Sequence, residues 1–355
     1  MNAKERMMAV LHHETPDRIP WTIYSGLLPR GQDERELRNL GLGLWVSCQV
    51  CKVETPHVKM EVSDQGGVTT RIYRTPVGSV YSRHRTDVGV VGTTWTVEHM
   101  VKRPEDYAVA KFIVEDAVYR PDYAAVLEAQ RMLGGDGVVV AWVGRSPLQR
   151  MLIELLGYAR WAIDQYRHPR EFNDLLEAID KEEHQLYRIA AESPAEIMWC
   201  GDNLNGEVTS PKLFEKYCAP FYNKQARLLH DHGKILAVHM DGRIASLVDA
   251  VKSTEIDVVE AFTPPPMGNL PPEAAKKAWG DRFTIWMNFP ESVCLLGTDA
   301  LRTYTSQLLE AVAPGDGFML GVTENIPVDI LALSLRAITE VLYAKGAYPL
   351  KGQRP

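Results

Sequence analysis

Five short apolar runs in the second half of the chain end in side chains able to hold a metal or move a proton. Cys200 is followed by Gly201-Asp202-Asn203, Val238 by His239-Met240-Asp241, Val259 by Glu260, Met287 by Asn288, and Val322 by Thr323-Glu324-Asn325. His239 and Asp241 lie two apart, a spacing that puts both on one face of an extended strand. With Glu324 they offer one nitrogen and two carboxylates, the donor set of a catalytic metal site with a position open for substrate or water. Oxygen ligands leave a bound ion more Lewis acidic than thiolates would. Asp202, Asn203, Glu260 and Asn288 could orient the substrate or the ligands. The alternative for His239 is a neutral core histidine with a hydrogen-bond partner, and for Asp241 the cap of a helix starting near Ile244. Without an ion, Glu260 or Glu324 could serve as a protonated acid, because burial raises a carboxyl pKa.

These residues share a pocket only if the runs that carry them converge. The runs extend from Ile19 to Tyr24, Leu44 to Cys51, Val138 to Val143, Glu196 to Cys200, Ile235 to His239, Asp257 to Ala261, Phe283 to Met287 and Phe318 to Val322. Each is short and nearly all apolar, as strands buried on both faces are. Helix-length amphipathic segments alternate with them: Ser146 to Leu156, Pro169 to Ala191, Pro211 to His232, Ala245 to Ser253, Pro271 to Trp279, Thr298 to Val312 and Val328 to Lys345. An opening helix is expected from Glu5 to Leu11. This rhythm predicts a (β/α)8 TIM barrel, with an open doubly wound sheet as the other closure. No Gly-x-Gly-x-x-Gly follows any run, which weakens a dinucleotide fold. In a barrel all strands end at one mouth, so the polar strand ends would meet there.

From Val62 to Val97 the pattern changes to alternation, with Val68 to Arg74 and Ser79 to Arg85 flanking the turn Pro76-Val77-Gly78. This predicts a β-hairpin insertion near 62–97 within a single domain spanning 1–355. The exposed hairpin, Gly67 to Arg85, could serve a homodimer or partner contact.

Composition narrows the class. The 355 residues are 45% hydrophobic and 24% charged, an ordinary globular balance with a net charge of -7. The 39 Lys and Arg form no block, so nucleic acid is excluded as a partner. The 5 cysteines are too scattered for a disulfide framework, which suits the cytoplasm. Cys48-Gln49-Val50-Cys51 has no second C-x-x-C for a structural zinc and no helix start to activate a thiol. Cys200, Cys218 and Cys294 read as core. The opening is polar and amphipathic, and no apolar run reaches the roughly 18 residues that span a bilayer, so neither secretion nor membrane insertion is expected. Trp21, Trp45, Trp142, Trp199 and Trp286 lie in or beside the strand runs, where they could line a pocket for a flat substrate or fill the core.

The order of motifs over nearly the whole chain resembles the uroporphyrinogen decarboxylase superfamily. The matching pieces are Glu5 to Pro20 (ERMMAVLHHETPDRIP), Gly201 to Tyr222 (GDNLNGEVTSPKLFEKYCAPFY), His239-Met240-Asp241-Gly242 and Thr323-Glu324-Asn325-Ile326-Pro327. The resemblance implies a (β/α)8 barrel, in agreement with the strand reading.

Two branches of that superfamily separate here. The decarboxylases carry an Arg-Gln-Ala-Gly-Arg-Tyr motif after the first strand, whose arginines meet the carboxylates of a tetrapyrrole. This chain has Tyr24-Ser25-Gly26-Leu27-Leu28-Pro29-Arg30 there, and Val322-Thr323-Glu324 where they have a Gly-His-Gly turn. The other branch comprises cobalamin-dependent methyltransferases, in which zinc is held by a His-x-Cys pair and a distant Cys. His239 falls on that histidine, Asp241 on the first cysteine and Glu324 on the second. The resemblance thus implies Zn2+ or a similar divalent ion on His239, Asp241 and Glu324. Exchange of both thiolates for carboxylates points away from thiol acceptors and towards an oxygen leaving group, such as that of a methoxylated aromatic. The expected reaction is transfer of a methyl group from an aryl methyl ether to the Co(I) corrinoid of a separate protein, because no Asp-x-His-x-x-Gly corrinoid motif is present. Methanol, methylamines and betaines remain open as donors. The rival functions are a tetrapyrrole decarboxylase and a barrel that binds a corrinoid or tetrapyrrole without catalysis.

Overall fold

The computed structural model describes residues 1–86, 94–280 and 282–351. Strands β1 (Trp21–Tyr24) and β2 (Leu42–Cys48) pair in parallel. An excursion outside the barrel follows, carrying β3 (Cys51–Glu54), β4 (Lys59–Gln65), β5 (Val68–Thr75), β6 (Gly78–Arg85), β7 (Trp95–Glu98) and β8 (Val118–Pro121). The chain then returns through β9 (Gly137–Trp142), β10 (Ile197–Cys200), β11 (Ile235–His239), β12 (Val258–Phe262), β13 (Thr284–Asn288) and β14 (Phe318–Val322). In the order β1-β2-β9-β10-β11-β12-β13-β14 the parallel strands close, with β14 pairing back to β1. This is the (β/α)8 barrel that the apolar runs predict. The second run starts at Leu42 and stops at Cys48, earlier than expected at both ends.

Helix and strand faces explain the layers. Strand residues pointing outward pack on helices such as Pro169–Ala191 and Val328–Lys345, whose buried stripes include Phe172, Leu175 and Ile179, and Leu335 and Ile338. Inward-pointing Trp45, Val138, Val140, Ile197, Ile235, Val258, Trp286 and Met319 form a second, interior cluster. Helix α1 (Ala3–Leu11) completes it from below. Its start is fixed by a capping box, with Asn2 and Glu5 each accepting from the other's backbone N–H. Met7, Val10 and Leu11 join the interior cluster, and Thr284 Oγ1, at the start of β13, donates to the Val10 carbonyl at 3.0 Å. Gly43 lets the helix approach, since a Cβ there would lie 3.2 Å from the Met7 sulfur. The N-terminal end of the barrel is therefore plugged, and the C-terminal mouth is left for chemistry.

The crossover from β1 to β2 contains α2 (Gln32–Asn39), which the sequence reading omits because Leu37 is its only apolar residue. The expected hairpin is β5 with β6, in register from Val68 opposite Arg85 to Thr75 opposite Gly78. It is part of a larger antiparallel sheet in the order β4-β5-β6-β7. Residues 87–93 of the expected insertion lie outside the described residues. Gly66 and Gly67 join β4 to β5 at φ +60° and +73°, the left-handed pair a two-residue hairpin needs. The sheet rests on α3 (Asp106–Glu115), with Gly78 packed closely against Val109. Among the described residues no helix is long and apolar enough to cross a membrane.

Candidate metal centre at the barrel mouth

Closure of the barrel brings three distant stretches together. His239 is the last residue of β11, Asp241 lies just beyond it, and Glu324 follows β14. One ligating atom from each lies within 4.8 Å of the other two. His239 is buried, and Asp241 and Glu324 are half-buried. His239 Nε2 is 3.6 Å from Asp241 Oδ2.

The neighbouring strands hold the imidazole in place. Glu260, opposite His239 in the β11–β12 register, is fully buried, and its Oε2 lies 2.7 Å from His239 Nδ1. Trp199 Nε1 on β10 donates to the same oxygen at 2.9 Å, and the Tyr24 hydroxyl at the end of β1 donates to Oε1 at 2.6 Å. His239 thus sets Nδ1 against Glu260 and turns Nε2 towards Asp241, the arrangement of a metal-ligating histidine steered by a carboxylate. A β-bulge at Ala261, with φ +56°, breaks the register after Glu260. Strain of this kind is tolerated where it aims a functional side chain.

Electrostatics at the cluster also suit a cation. Burial opposes charge on His239, but the Glu260 and Asp241 carboxylates outweigh it and raise its pKa to about 10. Burial would raise the pKa of Asp241, yet the His239 contact and a hydrogen bond from Asn203 leave it lowered. Burial and the nearby Asp241 charge raise that of Glu324. Without an ion the protonated imidazole supplies the positive charge that the crowded carboxylates call for, and a cation bound in place of the Nε2 proton would supply it instead. The three donors therefore fit a divalent ion.

The remaining expected site residues divide. Asn203 Nδ2 donates to Asp241 Oδ2 at 3.1 Å, and Asn203 Oδ1 accepts from Arg145 at 2.7 Å. Asn288 lies one step away: its Oδ1 accepts from the Thr323 backbone at 3.0 Å, fixing the residue before Glu324. Its Nδ2 donates to Glu291. The expectation that Asp202 orients substrate or ligands is not supported by its contacts. Fully buried, it accepts from the Ser146 backbone and hydroxyl, each at 2.6 Å, and from Tyr222, tying the loops after β9 and β10 to the helix Ala219–His230. Asp241 caps no helix; the turn at Ala245–Leu247 has no side-chain cap.

Tyr24, Trp199 and Arg145 went unread as partners of the cluster. Trp199 heads a line of indoles, with its ring centroid 4.9 Å from that of Trp142 and 5.6 Å from that of Trp45, which lies 4.3 Å from Trp286. Trp21 points the other way and donates to Thr339 on the outer helix layer. Cys48 and Cys51 are half-buried free thiols, and Cys200, Cys218 and Cys294 are buried.

A parallel barrel with acids and an imidazole at its C-terminal mouth defines a class of site. The particular family follows from the sequence: the model of the uroporphyrinogen decarboxylase (URO-D) family matches residues 114–344, and the chain belongs to that family. Comparison with curated proteins gives no match. Among solved structures, a methyltransferase from Methanosarcina mazei is 13% identical, covers 96% of this chain and 98% of its own, and superposes with a TM-score of 0.59. A pneumococcal exo-β-D-N-acetylglucosaminidase is also 13% identical, covers 94% and 86%, and has a TM-score of 0.39. At 13% identity the likeness to the methyltransferase is one of fold alone.

Proposed function

We propose that this chain is a methyltransferase that takes a methyl group from an oxygen-linked donor, an aryl methyl ether, and passes it to the Co(I) corrinoid of a separate cytoplasmic protein, the whole of 1–355 acting as one barrel domain. One observation carries the reading: His239, Asp241 and Glu324 gather at the open mouth with no thiolate among them. A zinc or similar divalent ion on these residues would supply Lewis acidity to an ether oxygen as its charge develops. The corrinoid would supply the nucleophile.

The chain's own work is alignment. Glu260, held by Tyr24 and Trp199, holds Nδ1 of His239 and so directs Nε2 at the site, where an ion would take the place of its proton. Asn203, braced by Arg145, holds Asp241, and Asn288 sets the backbone that carries Glu324. The buried indoles of Trp45 and Trp286 exclude water beneath the site.

Family membership favours a second reading, decarboxylation of a porphyrinogen. The charge of the mouth weighs against it. Arg30 is exposed and paired with Glu34, so it is poorly placed to meet a polycarboxylate, and Asp241, Glu260 and Glu324 would repel one. The test supplies reduced corrinoid protein with ethers, alcohols, amines and halides and follows methylation of the corrinoid spectrally. Methylation by a methoxylated aromatic supports the proposal. Release of CO2 from a porphyrinogen would replace it with the decarboxylase, and inertness to every donor with a non-catalytic binding barrel.

A further inference from the structure

A cavity of about 290 Å3 lies between the outer sheet and α3, and no residue of the metal cluster lines it. Alternation along β5 puts Arg71 and Tyr73 on one face, opposite Ser82 and Val80 of β6. Ser82 and Val80 are buried, so this is the face turned towards α3. A sheet lying on a helix ordinarily fills that face with apolar side chains. Here it carries a guanidinium and a phenol over a floor that includes Met100, Ile113 and Leu155.

The other polar groups at the cavity are already satisfied. His84 pairs through Nε2 with the Ser82 hydroxyl at 2.9 Å and through Nδ1 with the Thr96 hydroxyl at 3.2 Å. Arg150 is neutralised by Glu182 and Glu183, and Glu154 is engaged by Arg145 and Arg150. Among the described residues, no carboxylate pairs with Arg71 and nothing hydrogen-bonds the Tyr73 hydroxyl. An exposed guanidinium and a half-buried hydroxyl thus stand above an apolar floor without a partner among the described residues.

We propose that this cavity binds a compact organic anion, a carboxylate carried on a single-ring apolar body. Arg71 and Tyr73 would take the carboxylate, and Met100, Ile113 and Leu155 the ring. Size agrees: a cavity of about 150 Å3 accommodates benzene, so this one has room for a ring and its carboxylate. The site is independent of the reaction proposed at the barrel mouth.

The test is calorimetric titration of the full chain with benzoate and with its uncharged counterpart, benzamide. The expected result is saturable binding of one benzoate per chain below about 10 mM, and about tenfold weaker binding of benzamide. Arg71→Gln should weaken benzoate about tenfold and Tyr73→Phe severalfold, while His239→Ala leaves it unchanged. Arg71 is exposed, so its replacement should melt as the parent does. Absence of saturable binding overturns the proposal, as does affinity unchanged in both Arg71→Gln and Tyr73→Phe. Benzoate binding lost in His239→Ala but kept in Arg71→Gln would put the anion at the barrel mouth and likewise overturn it.

Discussion

At the scale of single residues, Glu260 decides what His239 can do. Three groups, the Tyr24 hydroxyl, the Trp199 indole and the His239 imidazole, converge on its buried carboxylate. Glu260→Gln keeps the shape and removes the strong acceptor facing Nδ1. Loss of such an outer partner typically costs about 10 to 100-fold in metal affinity. The expected outcome is a drop of that size in zinc affinity, measured by chelator competition, with an unchanged circular dichroism spectrum. Tyr24→Phe should cost less, because Trp199 still holds Glu260. Of these groups, the clustering of His239, Asp241 and Glu324 was readable because each stands at or just past a strand end. Tyr24 and Trp199 were not, because an aromatic residue in an apolar strand looks the same whether its polar tip is bonded to the site or to the core. Asp202 misled for a related reason: the polar residue after a strand can turn to the mouth or to the helix layer, and only the positions of Ser146 and Tyr222 settle which.

At the scale of elements, α1 works as a stopper. Met7 is 1% exposed and packs into the interior cluster from below. Met7→Ala should destabilise the protein by about 2 to 5 kcal/mol through lost burial and the void left behind. Urea denaturation would measure it, and a loss within about 0.5 kcal/mol would mean that α1 does not close the barrel. The barrel strands were legible because burial on both faces makes each an apolar run with sharp ends. The outer sheet was only half legible: β4, Lys-Met-Glu-Val-Ser-Asp-Gln, is largely exposed and shows no clean alternation. β3 and β8 pair across a long excursion that no local pattern announces.

At the scale of the whole molecule, the start of the chain is clamped to the turn that leads into β1. Arg6 meets Asp17 through two hydrogen bonds, at 2.6 and 2.9 Å. The Arg6 hydrogen bond outweighs burial and lowers the Asp17 pKa to about 2. Because the folded value lies below the unfolded one, the clamp contributes fully above about pH 4 and loses its contribution as pH falls through about 2. The pair is partly exposed and solvent-screened, so its worth is at most about 1 kcal/mol. Asp17→Asn should therefore lower the urea midpoint slightly at pH 7, and the difference from the parent should shrink towards zero near pH 2. A difference constant over that range would contradict the clamp.

The central claim is that one imidazole and two carboxylates, separated in sequence, hold a single ion at the mouth of the barrel. Metal content per chain tests it most directly, measured by plasma mass spectrometry after zinc loading and gel filtration, for the parent and for His239→Ala, Asp241→Asn and Glu324→Gln. The account predicts one zinc per parent chain and its loss or severe depletion in each variant, with the fold retained. Equal zinc in the parent and all three variants, or none in the parent, would contradict it.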